Sequence, residues 1–116
     1  MRLSEVAKCL SAELFVGHDR LDYDVQSACG SDLMSDVMAF SVNSCVLLTG
    51  LVNLQVIRTA EMMDIKAVVF VRGKTPTQPM IELAGEKGIV LMSSQLPMFE
   101  SCGKLYSNGL KGKQCI

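Results

Sequence analysis

Eight residues, Ser31-Asp32-Leu33-Met34-Ser35-Asp36-Val37-Met38, spell nearly the same four letters twice and carry two carboxylates at a suggestive spacing. On a helical turn Asp32 and Asp36, four apart, share one face. Such a pair could hold Mg²⁺ through its oxygens, but the ligand set is thin and no third acid stands nearby. General acid–base work by the same pair needs pKa values driven apart by burial or by neighbours, and a sequence displays neither. The letters also have a purely structural reading. Ser31 caps the turn, Ser35 keeps the polar stripe hydrated, and Leu33 with Val37 and Met34 with Met38 form apolar stripes facing a core.

Other catalytic parts are missing. The lone His18 lies in the polar string GHDRLD, where a surface histidine is expected rather than a base. The chain contains no G-x-x-x-x-G-K-[ST], no G-x-G-x-x-G and no G-x-S-x-G. A small phosphotransferase or hydrolase therefore ranks last among the functions considered, and a non-catalytic protein without metal or cofactor is expected.

The elements that would position these residues follow from the apolar pattern. Three short, continuous, β-branched runs begin at Cys45 (CVLLTG), Ala67 (AVVFVRG) and Gly88 (GIVLMSS), the pattern of strands covered on both faces of a parallel sheet. Between and after them lie helical patterns. Asn53 caps a helix that buries Val56, Ile57, Ala60 and Met63. Thr77 caps a second, with Pro79 in its first turn and Gly88 as its stop. A third helix, starting near Leu96, is expected to pack Met98, Phe99, Cys102 and Tyr106 and to end near Gly109. Upstream, Leu3, Val6, Ala7 and Leu10 make a helix face, AELFVG a short strand, and VQSACGS a second strand after a polar turn. The expected architecture is a small α/β domain in three-layer style over residues 1–110, with a mostly parallel sheet, flanking helices and a frayed tail at 111–116.

In such a sheet ligands settle beyond the carboxyl ends of the strands. Those ends read Thr49 to Asn53, Arg72 to Thr75 and Ser93 to Gln95, offering small polar groups, helix-start N–H donors and one cation to an anion such as a phosphate. Loops at strand ends are polar in any such fold, so solvation alone also accounts for them.

Composition narrows the partners. With 11 Lys and Arg against 12 Asp and Glu, the chain carries a net charge of −1 and no charge run, which disfavours nucleic acid and anionic lipid. No stretch approaches the roughly 18–20 apolar residues of a membrane span, and a soluble cytoplasmic protein is expected. The five cysteines (Cys9, Cys29, Cys45, Cys102, Cys115) are scattered without a C-x-x-C, so reduced thiols are the default. Cys45 and Cys102 read as small hydrophobes, Cys115 as solvated, and a redox role for Cys29 stays open. The eight methionines suit a core or an adaptable docking surface.

The strings LDYDVQSACGSDLMSDVMA, LLTGLVNLQVIRTAEMMDIKAVVFVRG and FESCGKLYSNG together resemble the DRTGG domain family over nearly the whole chain. The resemblance implies a fold similar to the N-terminal domain of bacterial HPr kinase/phosphorylase, which is not the kinase lobe. It also implies a regulatory part, since such domains occur inside some phosphate acetyltransferases and between the CBS domains of some inorganic pyrophosphatases. Free-standing copies occur in anaerobic bacteria, often near hydrogenase-type redox genes. Asp22, Ser31, Asp32, Ser35, Asp36 and Met38 follow the family pattern, whereas Gln26, Ser27 and Ala28 stand where Thr-Gly-Gly is expected. Losing both glycines removes the freedom for a positive φ or a close backbone approach at that turn.

Two functions follow as expectations. One is a regulatory or sensing module, working as a homodimer or with a partner enzyme, that binds a small anionic ligand such as AMP, ADP or ATP through Ser31, Asp32, Ser35, Asp36, Thr49, Asn53, Arg72 and Ser93. The other is an interaction module that docks on a larger redox enzyme of the hydrogenase type.

Overall fold

Apolar side chains at consecutive strand positions point alternately to opposite faces, so a continuous apolar run forces both faces of a strand to be covered. The computed structural model, which describes residues 1–40 and 44–112 with Phe40 through its main chain only, meets that requirement. Along the chain run α1 (Leu3–Cys9), β1 (Glu13–Val16), a 3₁₀ turn (His18–Arg20), β2 (Ser27–Gly30), α2 (Met34–Phe40) and β3 (Cys45–Thr49). There follow α3 (Leu54–Met62), β4 (Ala67–Phe70), α4 (Gln78–Lys87), β5 (Val90–Ser93) and α5 (Met98–Ser107). The sheet has the order β1-β5-β4-β3-β2, with β2 to β5 parallel and β1 antiparallel on β5.

Leu47, Val68, Phe70 and Leu91 point to one face, where Met34, Val37, Val56, Ile57, Ala60, Met80 and Ala84 from α2, α3 and α4 close over them. Val46, Leu48, Val69, Val90 and Met92 point to the other, covered by Leu3, Val6 and Leu10 around α1 and by Leu105 of α5. This is the three-layer α/β architecture expected from the sequence. The helix boundaries also follow local chemistry. Asn53 Oδ1 accepts the Val56 N–H at 3.3 Å and Thr77 Oγ1 the Met80 N–H at 3.4 Å, while Gly88 ends α4 at φ +72°.

Two expectations need correction. The buried stripe of α5 is Ser101 and Leu105, with Met98 and Cys102 half-buried, whereas Phe99 is 84% and Tyr106 61% exposed. Positions 98, 101, 102 and 105 share a helical stripe, and Ser101 can enter it because its hydroxyl donates to the Leu96 carbonyl at 3.4 Å. The segment expected to fray at Lys111 begins with a pairing: the Lys111 carbonyl accepts the Ala28 N–H at 2.9 Å on the outer edge of β2. Cys115 and the rest of residues 113–116 lie outside the described residues.

Candidate functional site

The chain turns sharply on leaving β2. The Ser31 N–H continues the ladder to the Leu48 carbonyl at 3.0 Å, and Ser31 Oγ then accepts the Leu33 N–H at 3.1 Å. That hydroxyl turn holds Asp32 outside α2 and aims its carboxylate across the end of β3. One oxygen, Oδ1, accepts both the Gly50 N–H at 2.6 Å and the Thr49 hydroxyl at 3.2 Å, and Thr49 Oγ1 in turn accepts the Leu51 N–H at 3.1 Å. Asp32 and Asp36 therefore do not share a helical face. Asp36 lies in the first turn of α2 and is exposed, as is Ser35. Met34 and Val37 are buried together, leaving Leu33 and Met38 exposed, which replaces the two apolar stripes expected. Among the described residues no three His, Cys, Asp or Glu side chains gather where a metal ion could sit.

The end of β4 supplies the cation. Arg72 has φ +58° and Gly73 φ +71°, a left-handed pair that reverses the chain. Both are pinned by main-chain bonds, Arg72 N–H to the Leu96 carbonyl at 2.9 Å and Gly73 N–H to the Ser94 carbonyl at 2.8 Å. Ser93 is buried and its hydroxyl donates to the Lys74 carbonyl at 2.6 Å, fixing the same loop. A left-handed conformation costs a residue with a Cβ about 1–2 kcal/mol, and the surrounding main-chain bonds hold it here.

The two groups converge over Gly50. A Cβ built there would stand 3.4 Å from Arg72 Nη2 and 3.5 Å from both Asp32 carboxylate oxygens, so both groups lie in contact range of this one position. Beside them opens a crevice of about 440 Å³, walled by Gly30, Ser31 and Asp32 after β2, Val71 and Arg72 after β4, and Pro97, Met98 and Phe99 at the start of α5. Pro97 has no side-chain acceptor for the first N–H groups of α5, which stay open to solvent or a ligand. At Gly30 a Cβ would lie 2.7 Å from Cys102 Sγ and 3.2 Å from Met98 Sδ, so a larger residue there requires those side chains to shift.

Of the residues anticipated from the sequence, Ser31, Asp32 and Arg72 line this crevice, and Thr49 stands behind Asp32. Asn53 is occupied as the cap of α3 and Ser93 as the loop staple, while Ser35 and Asp36 are not part of the crevice wall. Sequence reading missed Gly30, Val71, Pro97, Met98 and Phe99. The available signal was Pro97, a rigid residue between the end of β5 and a helix, which marks the start of α5 as a boundary rather than a core face.

Cys29, within β2, packs on the α2 side of the sheet, and Cys102, on α5, packs on the other side. Burial pushes the Cys29 thiol above its ordinary 9.0, helped by nearby Cys102 and Asp36, and burial does the same to Cys102. Both are therefore thiols at neutral pH. A raised folded-state pKa contributes stability that is complete below the unfolded value and lost as pH rises through the folded one. Stability is expected to fall above about pH 9 through these two groups. A Cys29→Ser, Cys102→Ser double variant followed by urea unfolding from pH 7 to 10 should show a flatter alkaline limb, and an unchanged limb would contradict the assignment.

No protein-family model matches the chain, and no curated protein matches it. Among solved structures it is similar to the CBS and DRTGG domains of the regulatory region of Clostridium perfringens pyrophosphatase, a complex with the activator diadenosine tetraphosphate. The TM-score is 0.74 at 16% identity, over 90% of this chain and 45% of that one, so the chain spans less than half the length of its neighbour. At that identity the likeness is one of fold, and it agrees with the DRTGG-like architecture that the sequence resembles. Among the described residues no helix is long and apolar enough to cross a membrane.

Proposed function

We propose that the chain is a non-catalytic regulatory module whose crevice binds a small anionic ligand, an adenine nucleotide. The observation that carries this reading is the convergence of three different chemistries in one pre-formed crevice. Arg72 offers a planar cation to a phosphate. Asp32, fixed by Thr49 and Gly50 through one oxygen, keeps acceptor capacity for ribose hydroxyls or an amino group. Phe99 presents an open ring face beside them on which a base can stack. The volume lies in the range of small-molecule sites. Ser31 Oγ is engaged with the Leu33 main chain, so this hydroxyl serves the turn that places Asp32. The neighbour of similar fold belongs to a regulatory region whose activator is itself an adenine dinucleotide, which supports the same ligand class.

The test is thermal unfolding of the full chain with AMP, ADP and ATP, each with and without Mg²⁺, followed by calorimetry on any ligand that shifts the midpoint. A nucleotide at about 100 times its Kd adds about 2.7 kcal/mol and should raise the midpoint by roughly 10 °C in a domain of this size. Silence from all three nucleotides would remove the sensor reading and favour a module that docks on a redox enzyme, to be sought by pull-down from a native extract.

A further inference from the structure

At the opposite end of the sheet, three cations from three separate elements meet around one small cavity. Arg20 comes from the 3₁₀ turn after β1, Lys66 from the connection into β4, and Lys87 from the last turn of α4. With Tyr23 and Gly88, and with Leu3 and Val90 as an apolar floor, they line about 140 Å³, space for an ion rather than for a nucleotide. We propose that this cavity is a second binding site, for a phosphate-sized oxyanion.

Each cation is held differently. Lys66 Nζ lies 3.0 Å from Asp64 and 5.2 Å from the centroid of the Tyr23 ring, and Lys87 Nζ lies 3.2 Å from Glu61. Arg20 has no carboxylate within ion-pair distance among the described residues. Its guanidinium lies flat on Gly88, with Cζ, Nη2 and Nη1 at 3.1, 3.2 and 3.3 Å from where a Cβ would stand. Gly88 is required by its φ of +72°, and a Cβ there would also press the guanidinium outward by a few tenths of an ångström. The carbonyls at the end of α4 attract cations and account in part for Lys87 and Arg20. They do not account for Lys66, which belongs to another element, nor for the open cavity among the three charges. Two carboxylates against three cations leave one positive charge over, and the planar fork of Arg20 is the group suited to two oxygens of a tetrahedral anion.

The experiment is NMR of the isotopically labelled full chain, titrated with inorganic phosphate and, separately, with phenyl phosphate, at constant ionic strength set with chloride. Saturable shifts of the Arg20 side-chain Nε–H and the Gly88 amide are expected, with Arg20→Gln weakening the response at least tenfold and Arg20→Lys recovering part of it. Saturation by inorganic phosphate identifies a site for the free ion. Saturation by phenyl phosphate alone identifies a site for the phosphoryl group of a larger molecule. Linear drift matching that of chloride, or an Arg20→Gln response equal to the parent's, would overturn the proposal. Signals of Arg72 and Gly50 report the crevice in the same spectra, so failure of one site is read separately from failure of the other.

Discussion

Replacing Arg72 by glycine is expected to weaken an adenine nucleotide by roughly 10- to 150-fold while leaving the unfolding midpoint unchanged or slightly raised. The two effects have separate causes. Arg72 holds φ +58°, a conformation that costs a residue with a Cβ about 1–2 kcal/mol and glycine nothing. Against that gain stands the greater freedom of glycine in the unfolded chain, about 0.5–1 kcal/mol. The loop itself should stay in place, because its anchors are the Arg72 and Gly73 main-chain N–H groups and the Ser93 hydroxyl, none of which the substitution removes. Binding, by contrast, loses a charge-assisted contact of about 1.5–3 kcal/mol. Calorimetry and thermal unfolding on one preparation check both halves. Unchanged affinity would remove Arg72 from the site. A drop in stability beyond about 1 kcal/mol would mean that the guanidinium holds the fold together over Gly50 instead of waiting for a ligand.

Asp32→Ala should destabilise the domain by about 2–3 kcal/mol, a fall of roughly 10 °C in the midpoint. Two donors depend on this carboxylate. The Gly50 N–H at 2.6 Å makes a charge-assisted bond, and the hydroxyl of fully buried Thr49 would lose its acceptor. Asp32→Asn keeps an oxygen in the same place and should recover about half of the loss, since an amide accepts these bonds without the charge. The pair of variants separates structure from binding. If Asn restores the midpoint but not nucleotide affinity, the negative charge contacts the ligand. A midpoint within about 2 °C of the parent for the alanine variant would show that water replaces the carboxylate at no cost, and the crevice would lose its fixed wall.

The strands at Cys45, Ala67 and Val90 were legible in the letters alone, because a run that is apolar at every position can only be stable with both faces covered. So were the starts of α3 and α4 and the end of α4, since Asn53, Thr77 and Gly88 act on main-chain groups within a few residues of themselves. Of the site, Arg72, Asp32 and Ser31 were legible as polar groups after strand ends. Their roles came from contacts made on folding. Asp32 left the helical face it was expected to share with Asp36 because donors from Thr49 and Gly50, 17 and 18 residues away, reach its oxygen. Ser93 and Asn53 were occupied by neighbours that no spacing reveals. Phe99 read as core by its hydrophobicity and stands at the crevice mouth, because the rotation of α5 is set by which stripe fits against β2 and β3. Hydrogen bonds within a turn are written in neighbouring letters, whereas the choice of partner across the sheet depends on distances that exist only after folding.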